Sequence, residues 1–231
     1  LIENNQNIEW KTFRAGDIKY IDRDGDGEIS RGQYTLEDHG DLEVIGNAMP
    51  QFPFGFSMSA NWKNFDLSIA GNGVAKQHWT PGGVTYWGHY DRPQASFIRK
   101  DLIDNAWDPD NPGGRYPQIY RGYTALGDNR MLYSPNSYYL ENVGFLRVKN
   151  LTIGYTVPKK LINRIKIQDM RVYFSGENIF TWSFGGLTKY IDPEQAASGI
   201  GYNNPGDATG RSLMEEYPYG KTYSFGLSIT L

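Results

Sequence analysis

Five stretches of this chain alternate apolar residues with small or polar ones, and the connections between them run short, long, short, long. In FPFGFSMSANW the apolar residues are Phe52, Phe54, Phe56, Met58 and Trp62, with Gly55, Ser57, Ser59 and Asn61 between them. NFDLSIAG sets Phe65, Leu67 and Ile69 against Asn64, Asp66 and Ser68. VKNLTIGYTV sets Leu151, Ile153, Tyr155 and Val157 against Asn150, Thr152, Gly154 and Thr156. Val172, Phe174, Phe180 and Trp182 share one parity in MRVYFSGENIFTW, as do Tyr223, Phe225, Leu227, Ile229 and Leu231 in TYSFGLSITL. A period of two is that of a strand with one apolar face.

Such strands suit either a soluble sandwich with a dry core or a membrane barrel with a lipid face and a wet lumen. The connections decide between them. They fall around residue 63 and at 73–140, 158–167 and 184–218. A membrane barrel requires this alternation, because its extracellular loops are long and its periplasmic turns short. A sandwich does not. Aromatics gathered near one end of each stretch suit an interfacial girdle. The expected fold is therefore all-β: the C-terminal strands of a large antiparallel transmembrane β-barrel with long extracellular loops. Five strands cannot close such a barrel, and an open edge in lipid leaves backbone groups unpaired. The reading predicts further strands upstream and makes this chain a piece of a larger protein.

Composition sets the remaining bounds. No apolar run approaches the roughly 18–20 residues of a transmembrane helix, which a barrel does not need. A formal net charge of −3 gives no reason to expect a nucleic-acid partner. The absence of cysteine excludes disulfides and thiolate zinc sites.

Ahead of the strands lies DRDGDGEIS, Asp22 to Ser30. Asp22, Asp24 and Asp26 at alternate positions, Gly27 at a sharp turn, the Glu28 carbonyl and an anchoring Ile29 match the first eight positions of an EF-hand calcium loop. Position 12 should be a bidentate Glu and is Gln33 instead. The flanks, RAGDIKYI and RGQYTLEDHGD, are not helical in pattern. A calcium sensor needs paired helices that open. The spacing therefore predicts a single structural calcium, a brace rather than a switch.

Taken in order, GDIKYIDRDGDGEI, VIGNAMPQFPFGFS, NWKNFDLSIAGNGV, AWDPDNPGGRYPQ, FLRVKNLTIGYTVPKKL, RVYFSGENIFTWS, IDPE and YPYGKTYSFGLSITL resemble the late barrel of SusC/RagA-type TonB-dependent outer-membrane transporters. The likeness runs from about Gly16 to Leu231. It implies a large barrel with an N-terminal plug in the bacterial outer membrane. The partners implied are the plug and remaining strands of the same transporter, TonB acting through the N-terminal part, a SusD-like surface lipoprotein over the mouth, and outer-membrane lipid. The implied activity is import of a nutrient, an oligosaccharide or an oligopeptide. The family also implies that an Asp just before Ile-Gly-Asn closes the calcium loop. That position is Asp41, reached after an inserted GQYTLEDHG, with Glu37 and Asp38 as rivals.

On this reading residues 1–49 form an extracellular region holding the calcium loop, and 50–231 hold the strands and their loops. The loop KQHWTPGGVTYWGHY offers Trp79, Tyr86, Trp87 and Tyr90 as substrate or partner contacts, since sugar rings stack on flat aromatics. Packing within a long loop is the competing reading, and the favoured one. Asp192 and Glu194 in IDPE read as a Pro-fixed turn rather than as paired acids, and no nucleophile triad stands out, so the chain is expected not to be an enzyme. The alternative function is a secreted, calcium-braced β-sandwich that binds carbohydrate.

Overall fold

The computed structural model describes residues 7–8, 16–80, 87, 98–118, 135–163, 167–185, 192–194 and 219–231. In chain order the elements are β1 (Asn7–Ile8), β2 (Glu28–Ile29), β3 (Gln51–Trp62), β4 (Phe65–Lys76), β5 (His78–Trp79), α1 (Lys100–Asp104), β6 (Glu141–Asn142), β7 (Phe145–Thr156), α2 (Lys159–Ile162), β8 (Asp169–Ser183) and β9 (Thr222–Thr230). The chain forms two compact units. The first gathers residues 1–46, 80–140 and 201–215, and the second 47–79, 141–200 and 216–231.

In the first unit β1 and β2 make a short parallel pair. Its aromatic core is Trp87, Tyr116 and Tyr139 with Leu102 of α1, all buried. The Trp87 ring meets Tyr139 edge-on at 5.1 Å and Tyr116 at 6.2 Å, geometries that rings favour for their quadrupoles. The Tyr139 hydroxyl finds a partner in the Arg115 carbonyl at 3.2 Å. Arg99 grips Asp101 through two hydrogen bonds, and Tyr116 donates to the same carboxylate.

The second unit is an antiparallel sheet in the order β3-β4-β7-β8-β9. Its register turns the sequence alternation into two contrasting faces. One face carries the cross-strand row Trp62, Phe65, Tyr155, Val172, Leu227 and, next to it, Ala60, Leu67, Ile153, Phe174, Phe225. The other carries Ser59, Ser68, Thr152, Ser175, Ser224, where Thr152 and Ser175 hydroxyls meet at 3.4 Å. Directly opposed side chains are the unit of sheet stabilisation, so each row is like with like. Lys63, with φ of 55°, turns β3 into β4, and Asn64 ties that turn to Thr156 through two 2.8 Å hydrogen bonds.

The alternation is not unbroken. Ala70 faces Asn150, but its neighbour Gly71 faces Val148, so β7 holds one extra residue, Lys149, at that level. A bulge of this kind reverses the parity of everything beyond it. Counted without it, Arg147 would share the apolar face with Leu151 and Ile153. With it, Arg147 lies opposite Asn72 and Thr181 on the polar face, and Leu146 and Val148 lie opposite Trp182 and Phe180 on the apolar one.

Candidate functional site

Backbone N–H groups organise the acids of the 22–28 stretch. Gly25 and Gly27 take φ of 78° and 84°, the left-handed region that favours glycine, and so aim their N–H groups inward. These donate to Asp22 Oδ1 at 2.6 Å and Oδ2 at 2.9 Å. The Asp26 N–H donates to Asp24 Oδ1 at 3.1 Å, and the Glu28 N–H to Asp26 Oδ1 at 2.7 Å. Ile29 is 4% exposed and anchors the loop, as its place predicts.

Asp41 is held against the start of the loop. Asp41 takes the Arg23 N–H on Oδ1 at 2.5 Å and the Ser30 N–H on Oδ2 at 2.8 Å, while its own N–H donates to the Ser30 carbonyl at 3.1 Å. Oxygens of Asp22, Asp24 and Asp41 all lie within 4.8 Å of one another. Two ligands at 2.3–2.6 Å from one calcium stand at most about 5.2 Å apart, so this spacing fits. Hard carboxylate oxygens also suit that ion. Asp26 and Glu28 are exposed and lie outside the three-carboxylate group. Asp38 instead turns the inserted segment, its carbonyl accepting the Gln33 and Thr35 N–H groups. Among the described residues, no ion pair engages Asp22, Asp24, Asp26 or Asp41; Arg23, beside them, pairs with Glu43. Nearby, burial pushes the Tyr20 hydroxyl up to about 12.

The aromatic loop contributes a buried tryptophan. Trp87 is 1% exposed, its ring enclosed by Tyr116 and Tyr139, so no face is left for a sugar. It is a core anchor. Trp79 is half-buried in β5, paired with Glu141 of β6. Tyr86 and Tyr90 lie outside the described residues. His78 is engaged as well, its Nδ1 accepting the Asn47 N–H at 3.0 Å.

Two ion networks on the polar face escaped the sequence reading. Arg171 of β8 reaches over Gly154 of β7 and grips Asp66 of β4 with two hydrogen bonds, at 2.9 and 2.5 Å. Toward the other end of the strands, Arg147 donates to Asp192 at 2.5 Å, Glu194 at 2.7 Å and Thr181 at 3.0 Å. Lys149 joins at Glu194, and the Tyr219 ring covers both cations. The side chains of Arg147 and Asp192 are each 4% exposed. Asp192 and Glu194 are thus the counter-charge of a buried arginine.

No family model matches the chain. It is 30% identical over 220 residues to TonB-dependent receptor P26 of Formosa agariphila, a match covering 94% of this chain and 20% of that protein. TonB-dependent receptor P3 of the same organism is 28% identical over 91% of this chain and 18% of its own length. The chain therefore spans about a fifth of the length of these relatives. Among solved structures, the RagAB peptide transporter matches 85% of this chain and 19% of its own, at 26% identity and a TM-score of 0.54. The RagAB peptide importer in its closed-closed state matches with the same TM-score at 25% identity. The two-faced antiparallel sheet and these likenesses together place the chain among the SusC/RagA-type TonB-dependent receptors, as a portion of their barrel.

Proposed function

We propose that this chain is wall and outer loop of an importer that carries a nutrient oligomer, glycan or peptide, across the bacterial outer membrane. The observation that carries the reading is the exposed apolar face. Trp62, Leu227 and Phe225 stand 66, 54 and 84% exposed on one side of a sheet whose other side is polar. A secreted sandwich would bury that face against a second sheet. Lipid covers it in a barrel, and the Ser/Thr side faces the lumen. Energised TonB acts through the plug of the same transporter, and a SusD-like lipoprotein sits over the long loops. Cargo of either class is too large for passive pores. Deleting the whole transporter should abolish growth on the scarce oligomer it imports. Undiminished uptake would sink the reading.

Sidedness has its own test. A spin label at Leu227 should be quenched by a lipid-soluble relaxer, and one at Ser228 by a water-soluble one. The reverse pattern would mean that the faces are assigned the wrong way round.

Calcium is the brace of the 22–41 loop in this proposal, held by Asp22, Asp24 and Asp41, with Asp26 and the Glu28 carbonyl completing the shell. When bound it supplies positive charge that ties two distant chain segments together; the chain itself supplies the N–H groups that pre-orient the acids. At ten times its dissociation constant the ion contributes about 1.4 kcal/mol to local order. Chelation should speed proteolysis within 22–41, and Asp41→Asn should do so with calcium present. Cleavage that ignores both treatments would remove the ion from the account.

A further inference from the structure

The β8–β9 pairing poses a problem that alternation alone does not solve. A slip by one residue moves every side chain to the wrong face and is excluded, but a slip by two keeps apolar with apolar and polar with polar. The row partners make the point: Ser224 faces Ser175, and Thr222 or Gly226 would be tolerated there on polarity alone. Beside the Asn178 Nδ2 donation to the Gly220 carbonyl at 3.4 Å, two contacts distinguish the native register. Asp192, held by Arg147, accepts the Tyr219 N–H at 3.2 Å, three residues before β9 begins. Farther along, the Tyr173 ring lies over Gly226, and a β-carbon built there would overlap it. A slip by two would put Ser224 or Ser228 beneath that ring, which would then have to swing aside.

We propose that Arg147–Asp192 and Tyr173–Gly226 form a two-point register lock for β9, with Arg147 as a positioning residue that acts through Asp192. The first point fixes where the strand starts. The second favours glycine at its middle. Each opposes even slips, so the pair is redundant, and the strand stays in place when either is lost. The proposal takes the sheet to be barrel wall and concerns only how its register is set.

The test uses paired cysteines in the full-length transporter in isolated outer membranes, crosslinked by oxidation. Ser175→Cys with Ser224→Cys reports the native register. Ser175→Cys with Thr222→Cys and Glu177→Cys with Ser224→Cys report the two slips. All these residues are on the polar face. Wild-type background should give the native crosslink alone, which also reads the sheet itself. Tyr219→Pro removes the N–H donor and leaves the Arg147–Asp192 pair intact; combined with Tyr173→Ala, it should give slipped crosslinks that the wild type lacks. Arg147→Met with Asp192→Leu and Tyr173→Ala should do the same without leaving a lone buried charge. Loss of insertion confined to the combined variants, each single change remaining inserted and native, is the same result read by assembly. Native crosslinks alone in an inserted combined variant would overturn the lock. So would failure of Tyr219→Pro by itself to insert.

Discussion

Ile153→Arg will destabilise the folded barrel by about 1–3 kcal/mol, whereas Thr152→Arg will change it by less than ~1 kcal/mol. The two residues are neighbours in the middle strand of the sheet, and differ only in the face they present. Ile153 sits in the row with Leu67, Phe174 and Phe225 on the apolar face, one row in from Tyr155, where a guanidinium must desolvate or snorkel. Thr152 sits between Ser68 and Ser175, facing water. Urea unfolding in lipid vesicles, read by the altered gel mobility of the unfolded barrel, measures both. Equal losses in the two variants would refute the lipid-face assignment.

The second large effect concerns the buried pair. Arg147→Met should cost about 3–5 kcal/mol, because it strands the Asp192 carboxylate in a site 4% exposed. Adding Asp192→Leu should recover most of that loss, since a buried pair replaced by apolar groups of similar size is often neutral. Lys149 still pairs with Glu194 in both variants and keeps that second carboxylate satisfied. Urea midpoints of the single and double variants decide it. A double variant as unstable as Arg147→Met would show that Arg147 acts through its packing on Phe145 and Tyr219 rather than through charge.

The strands were legible because an apolar face opposite a polar one imposes a period of two along most of their length. Phe52 to Trp62 and Tyr223 to Leu231 announce their faces without help from any partner. The bulge was not legible, because Lys149 in FLRVKN looks like any polar residue and only pairing with Gly71 reveals it as extra. The ion networks were hidden for the same reason. With regular alternation Arg147 reads as misplaced on an apolar face, and its acids lie 45 and 47 residues away. An arginine inside a strand with no acid in sight was nevertheless a signal, since such a charge must be paired wherever it is buried. In the calcium loop, Asp22 and Asp24 follow from spacing, but Asp41 lies beyond an insertion that only folding closes. The aromatic loop left two readings open because Trp87 is equally suited to stacking a sugar and to filling a core.

The single extra residue in β7 also bears on how this gene tolerates change in length. A codon lost from a surface loop is usually harmless. Loss of the codon for Lys149 would rotate the outer end of the strand by half a turn, sending Arg147 into lipid and Leu146 and Val148 into the channel. The same inversion follows from a codon gained anywhere between residues 151 and 156. Related transporters should therefore vary freely in the lengths of their outer connections while keeping the count of residues between Arg147 and the inner turn fixed.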